Sequence, residues 1–216
     1  MPPLVIATRN AHKVEEIQAV LGPRFRYLTL RDFPSAPEVD ETGDTFEANA
    51  RLKAESLAAW LRTLAPVPWQ ADSTPWSVLA DDSGLEVDAL GGAPGVQSAR
   101  FASAEFGLSG NAPDGANNTK LLRLLAEVPA ERRTARFRCV LALVSASDPH
   151  ATALLASGSC EGRIGFVPRG AHGFGYDPLF VPDGFSATLA ELGEATKNSI
   201  SHRARALEAL KAKLPR

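Results

Sequence analysis

Carboxylates at two places and cations at three carry the chemistry open to this sequence. Asp81 and Asp82 are adjacent at the end of the apolar run Val78-Leu79-Ala80, and a second acidic pair stands at Asp40-Glu41. Such a set suits a hard divalent cation such as Mg²⁺, which takes one or two carboxylates, keeps waters and completes its shell with phosphate oxygens. Side chains alternate along a strand, so Asp81 and Asp82 aim at opposite faces and only one of them points into a given pocket. The competing account is local: Asp82-Ser83-Gly84 is a favoured turn sequence, and solvated acids there need no ligand.

The cations sit at helix starts. Asn10 to Lys13 open a helix, where backbone N–H groups and the positive end of the dipole gather and Lys13 adds an ammonium, an anion site in outline. An ordinary N-cap with a surface lysine is the alternative. Neither GxxxxGK[ST] nor GxGxxG occurs, so the usual nucleotide fingerprints lend no support. Lys53 lies on a second helix, four residues after Asn49 and on the same stripe. Lys197 and the pair His202-Arg203 bracket the start of the last helix, a further dipole-plus-cation site for a phosphate or a carbonyl oxygen, or else plain helix-surface charge. In Gly170-Ala171-His172-Gly173-Phe174-Gly175-Tyr176-Asp177-Pro178, glycines alternate with aromatics. That pattern lets the backbone pass close to something flat while Phe174 or Tyr176 offers a stacking face, unless the rings simply anchor the loop in the core. Two cationic helix starts, a metal-suited acidic set and a glycine-aromatic loop together make the kit for a nucleoside polyphosphate.

The elements that must position these groups can be read from periodicity. Leu4 to Ala7 is a short strand, and Val14, Ile17, Val20 and Leu21 then recur at helical spacing until Gly22. Phe46, Ala50, Ala54, Leu57 and Leu61 mark a helix face behind Thr45 as N-cap, with Glu47 in the first turn. The Pro- and Trp-rich stretch 65–77 has no period and reads as a surface loop insertion. Val78 to Asp81 is a strand running into the turn Asp82-Ser83-Gly84, after which Leu85 to Leu90 alternates. Asn117 to Val128 is an amphipathic helix ended by Pro129, Arg136 to Ser145 and Thr152 to Ile164 are strands joined near Asp148-Pro149, and Ser201 caps a helix to Leu214. The order is that of a mixed α/β protein.

Composition narrows the function classes. At 216 residues the chain is one large domain or two tightly joined lobes. Lys plus Arg number 23 against 25 for Asp plus Glu, too balanced for general nucleic-acid binding through a positive surface. The longest apolar run, Cys139 to Val144, is far short of the roughly 18–20 residues of a membrane span. The start MPPLVIATRN lacks the early charge and cleavage pattern of a signal peptide, which makes a cytoplasmic location the expectation. Cys139 and Cys160 have neither CxxC spacing nor nearby histidines and read as small buried hydrophobes.

Six blocks in order resemble the Ham1-like, RdgB-type inosine triphosphate pyrophosphatase family: Thr8-Arg9-Asn10-Ala11-His12-Lys13; Glu41-Thr42-Gly43 with Thr45-Phe46-Glu47-Ala48-Asn49-Ala50 and Lys53-Ala54; Ala80-Asp81-Asp82-Ser83-Gly84-Leu85; Gly91-Gly92-Ala93-Pro94-Gly95 through Ser98-Ala99-Arg100-Phe101; Gly173-Phe174-Gly175-Tyr176-Asp177-Pro178; and Ser201-His202-Arg203. The resemblance runs from residue 4 to about 210. It implies a single ITPase-like (Maf/Ham1) α/β domain over 1–216, elongated and two-lobed, with a long curved mixed sheet, flanking helices and an active-site cleft between the lobes. It also implies a cytoplasmic homodimer that uses Mg²⁺ to hydrolyse ITP, XTP and their deoxy forms to monophosphate and pyrophosphate, clearing deaminated purines from the nucleotide pool. By position, Thr8 to Lys13 and Lys53 would hold the triphosphate, and Asp82 would be the catalytic acid, binding metal with Asp40 and Glu41. Ser83, Phe174, Gly175, Tyr176, Asp177 and Lys197 would contact the nucleotide, and His202-Arg203 would read the purine 6-oxo group. Arg9 stands where the family commonly has Gly, and Asp40 where it has Glu. A Maf-like pyrophosphatase of other base preference and a nucleotide sensor without activity are the alternatives.

Overall fold

The computed structural model describes residues 1–64, 75–148, 150 and 152–214. The described strands form a six-stranded mixed sheet in the order β2-β1-β3-β4-β5-β6: β1 (Pro3–Ile6), β2 (Arg26–Thr29), β3 (Ser77–Val87), β4 (Thr134–Ser145), β5 (Leu154–Ile164) and β6 (Phe180–Pro182). The helices are α1 (Ala11–Leu21), α2 (Phe46–Thr63), α3 (Asp114–Leu124), α4 (Leu189–Ile200) and α5 (His202–Lys213). Two compact units are built from this chain, one from 1–82, 139–157 and 206–216, the other from 83–138 and 158–205.

In the first unit, β1 lies between β2 and β3 and runs parallel to both, with Ile6 beside Thr29 on one side and Leu79 on the other. A central parallel strand is covered on both faces, which is why Leu4, Val5 and Ile6 are apolar without alternation. Two polar side chains start the helices. Asn10 Oδ1 accepts from the amides of His12 (2.9 Å) and Lys13 (3.3 Å), and Thr45 Oγ1 accepts from Ala48 (3.1 Å). Gly22 ends α1 at φ +65°, returning its N–H to Gln18. Ile17 and Leu21 of α1 and Leu207 and Leu210 of α5 pack with Leu4, Ile6, Leu79, Cys139 and Leu141.

In the second unit, Leu121, Leu125 and Leu189 pack against Leu85, Phe137, Ile164, Tyr176 and Phe180. Strand β6 pairs antiparallel with β5, and a Cβ on Gly162 would come within 2.3 Å of the Val181 carbonyl oxygen, so only glycine permits that pairing. Ser201 Oγ caps α5 through the amide of Ala204.

Several expectations are corrected. Asp82-Ser83-Gly84 is no turn: β3 runs unbroken from Ser77 to Val87, because the segment is buried and the amide of Leu85 is taken by Ser98 Oγ at 2.8 Å. The helix expected over 117–128 begins earlier, at Asp114 behind Pro113, and ends at Leu124. Residues 65–74 of the expected loop lie outside the described residues, but Trp76 is buried and Ser77 already belongs to β3. A helix at 189–200 and the short strands β2 and β6 were not expected.

Both cysteines are free and buried, and burial pushes the Cys160 thiol up to about 11. At pH 8 about one Cys160 in a thousand is then thiolate. Native protein treated with a thiol-specific chromogenic disulfide at pH 8 is expected to show no fast-reacting thiol, and two after unfolding in guanidinium.

Candidate active site

The pleat of β3 divides the acidic pair. Asp81 shares a face with Leu79, toward α1, and its Oδ1 accepts from Lys13 Nζ at 2.5 Å while its Oδ2 accepts from the Cys139 thiol at 3.1 Å. Asp82 faces the other way, and its Oδ1 accepts from Lys53 Nζ of α2 at 2.7 Å. Lys53 also lies 3.4 Å from Glu41 Oε1. Burial pushes the Asp82 carboxyl above the ordinary aspartate range, against the lowering pull of Lys53 and Lys13. Burial pulls Lys53 down, but Asp82 and Glu41 outweigh it and raise the ammonium above its ordinary value. Asp82 Oδ2 is buried and has no hydrogen-bond partner among the described residues. A carboxylate oxygen kept from both water and protein is an acceptor left for a ligand.

The rest of the expected phosphate turn is more self-contained than its sequence implies. Thr8 Oγ1 accepts from the Asn10 amide at 3.1 Å, and the amides of His12 and Lys13 are occupied by Asn10's own side chain. Ala11 opens α1, and His12 is half-exposed, 3.6 Å from Glu15. Arg9 reaches away from this turn, donating to the Ala36 carbonyl and meeting Glu38. Asp40 is exposed, and no group of three metal-ligating side chains occurs among the described residues. Of the expected trio of Asp40, Glu41 and Asp82, the structure brings Glu41 and Asp82 together at Lys53.

In the sequence, Asn49 stands out only by sharing a helix stripe with Lys53. It is fully buried, and its Oδ1 accepts from the Gly43 amide at 2.8 Å, tying the segment that carries Glu41 to α2. A Cβ at Gly43 would stand 2.7 Å from that oxygen, so the tie requires glycine.

A second cluster forms in the second unit. Asp177 Oδ2 accepts from Lys197 Nζ at 2.6 Å and from the Phe174 amide at 3.0 Å. Gly173 lies so close that a Cβ there would fall 2.1 Å from the same oxygen. Lys197 and the Arg203 guanidinium stand 4.6 and 5.8 Å from the Phe174 ring centroid. Arg203, only 1% exposed, donates through Nη2 to Ser83 Oγ at 2.9 Å, and His202 stacks on Phe137 with centroids 4.8 Å apart. Lys197 belongs to α4, ahead of the last helix, and is as buried as His202 and Arg203, so plain surface charge describes none of the three. Tyr176 is no stacking face: its ring lies in the core and its hydroxyl donates to the Ser98 carbonyl at 2.8 Å. Of the two aromatics, Phe174 alone keeps partial exposure.

These features define a mixed α/β protein with an acid–lysine cluster at one strand and an aromatic face flanked by cations. The chain belongs to the Ham1 family, whose model matches residues 4–213. It is 48% identical to the dITP/XTP pyrophosphatase of Shouchella clausii, over 98% of this chain and 96% of that one, and 50% identical to the dITP/XTP pyrophosphatase of Geobacter sulfurreducens over the same shares. Among solved structures, a HAM1 protein from Coxiella burnetii matches with TM-score 0.79 and 37% identity over 99% of this chain and 98% of that one. The Ham1 protein of Staphylococcus aureus matches with TM-score 0.78 and 34% identity over 98% and 97%.

Replacing Tyr176 by Phe leaves the buried Ser98 carbonyl without its donor, which costs about 1–3 kcal/mol. Urea unfolding of Tyr176→Phe is expected to show a lowered midpoint at an unchanged slope.

Proposed function

We propose that this chain hydrolyses nucleoside triphosphates carrying deaminated purines, dITP and XTP among them, to the monophosphate and pyrophosphate. Asp82 carries the reading. It is a buried carboxylate with one oxygen on Lys53 and the other without a hydrogen-bond partner among the described residues, in a chain about half identical, end to end, to proteins named for that reaction. In this reading Lys13 and Lys53 take phosphate and Phe174 takes the base, and β3 carries both Asp82 and Ser83.

The charge balance of the first cluster supports a cation. Two ammonium groups, Lys13 and Lys53, stand against three carboxylates, Glu41, Asp81 and Asp82. A surplus of negative charge does not receive a polyanion unless a further cation joins it. Glu41 and the open Asp82 Oδ2 suit Mg²⁺, which needs only one or two carboxylates and takes its remaining ligands from water and phosphate. When bound there, the ion supplies positive charge to the phosphate oxygens as the reaction proceeds. Asp82 orients the attacking water. The water oxygen bonds to the α-phosphorus as the bond to the bridging oxygen breaks, pyrophosphate leaves with that electron pair, and the water's proton is released to solvent. Lys53 and Lys13 hold the departing charge in place.

Base choice follows from donor chemistry. The Arg203 guanidinium only donates, so it accepts a 6-oxo purine and leaves the amino group of adenine facing another donor. Lys197 stands at the Phe174 ring as a further donor, fixed by Asp177, and His202 precedes Arg203 at the start of α5. The homodimer and the cytoplasmic location implied by family resemblance are parts of the same proposal, the first tested by sedimentation velocity.

Pyrophosphate release with Mg²⁺ is to be measured over dITP, XTP, dATP, dTTP and UTP. The expected result is kcat/KM for dITP and XTP at least about 100-fold above that for dATP. Best turnover with dTTP or UTP would make the protein a pyrophosphatase of other base preference, and tight binding without turnover a sensor. Asp82→Asn is expected to lower kcat by about 1,000-fold or more with its circular dichroism spectrum retained.

A further inference from the structure

The loop that carries Phe174 is built from residues that do not hold their own shape. Gly173 and Gly175 both adopt positive φ, +77° and +63°, and glycines in such a loop leave the chain many alternatives. Yet Phe174 is the side chain on which the proposed base recognition depends, so something must hold the backbone beside it. Asp177 does this on one side through the Phe174 amide. The other side is held from outside the loop. The Gly175 N–H donates to Asp114 Oδ2 at 2.7 Å, and the Gly175 carbonyl accepts from Asn118 Nδ2 at 3.0 Å. Asp114 and Asn118 are four residues apart in α3, on one helix face. One residue of the loop is thus gripped at both its donor and its acceptor by a rigid element distant in sequence. Asn118 is buried, and its donation to Gly175 fixes which way round the amide stands. The neighbouring Asn117 turns to the other side, accepting from Ala102 and donating to Ala99, which anchors α3 itself.

We propose that Asp114 and Asn118 are positioning residues for base selection: by clamping Gly175 they hold Phe174 against Lys197 and Arg203, and so set the preference for 6-oxo over 6-amino purines. This rests on the proposed pyrophosphatase reading. The clamp is expected to act on nucleotide affinity and choice and not on the chemical step.

The test compares wild type, Asn118→Ala, Asn118→Asp and Asp114→Asn. Asn118→Ala and Asn118→Asp both remove the donor to the Gly175 carbonyl. Each is expected to raise KM for dITP about tenfold or more, to change kcat by less than about threefold, and to shrink the dITP-over-dATP ratio of kcat/KM. Asp114→Asn keeps an acceptor for the Gly175 amide and is expected to lie nearer wild type. Hydrogen exchange of peptides covering 171–177 is expected to quicken in the two Asn118 variants while α3 stays protected. Thermal shifts with IMP and AMP in the absence of divalent cation read base preference apart from turnover. A wild type that prefers IMP but hydrolyses nothing would count against the proposed reaction alone. A lowered kcat at unchanged KM, or faster loop exchange with base preference intact, would overturn the clamp, as would a wild type with no preference between IMP and AMP.

Discussion

Two adjacent aspartates on a buried strand constrain the whole first unit. Burying one carboxylate in a low-dielectric interior is costly unless a cation comes with it, and burying two in succession requires two cations from different directions, because the pleat sends consecutive side chains to opposite faces. The chain meets that requirement with Lys13 at the start of α1 and Lys53 in the middle of α2. Each lysine must reach the middle of β3, which fixes where the two helices lie along the strand. The Asn10 and Thr45 caps determine where those helices begin, and hence which turn of each carries its lysine. Cys139 adds a thiol donor beneath Asp81, so that this carboxylate has both oxygens engaged while Asp82 keeps one open. The difference between the two acids is a difference of surroundings, not of residue type.

Much of this is legible in the sequence because it is local. The caps at Asn10, Thr45 and Ser201, the stop at Gly22 and the apolar stripes of α1, α2 and α5 each depend on residues within a turn or two of one another. The division of Asp81 from Asp82 follows from strand alternation alone. Elements fixed by distant partners are not legible. Asp82-Ser83-Gly84 has the composition of a turn and is kept extended by neighbours that include Ser98, which takes the Leu85 amide. The helix at 189–200 hides because Gly193, at φ +77°, interrupts its backbone and breaks the periodicity that would reveal it. Asp40 and Glu41 look equivalent as a pair, yet Glu41 lies beside Lys53 and Asp40 is exposed, a difference set by the distant residues of α2. The grip of Asp114 and Asn118 on Gly175 spans about sixty residues, and no spacing rule connects them.

The second cluster shows how a flexible composition becomes a fixed surface. Gly173 is needed because Asp177 Oδ2 occupies the space a Cβ would take, and that same oxygen receives both the Phe174 amide and the Lys197 ammonium. One carboxylate oxygen thus sets a loop backbone and a buried cation together. Tyr176 completes the arrangement from below by giving its hydroxyl to the Ser98 carbonyl, while Ser98 Oγ receives the Leu85 amide of β3. The recognition loop is therefore bonded through one serine to the strand that also carries Ser83, the partner of Arg203.

The two clusters differ in what they offer a ligand: an open carboxylate oxygen in the first, cationic donors beside an aromatic ring in the second. Around Asp82, the carboxylates Glu41, Asp81 and Asp82 stand against the ammonium groups of Lys13 and Lys53, so under the proposed reaction a triphosphate needs a further cation beside it. Beside the Phe174 ring stand the Lys197 ammonium and the Arg203 guanidinium, donors that accept nothing. A base offering carbonyl oxygens satisfies such donors, whereas a base offering an amino group leaves them desolvated and unpaired, a cost that grows with burial. Since Arg203 is almost wholly buried and already oriented by Ser83, it has little freedom to turn away from an unsuitable base. Discrimination is then a consequence of rigidity: the same cation on a mobile side chain would simply rotate toward water.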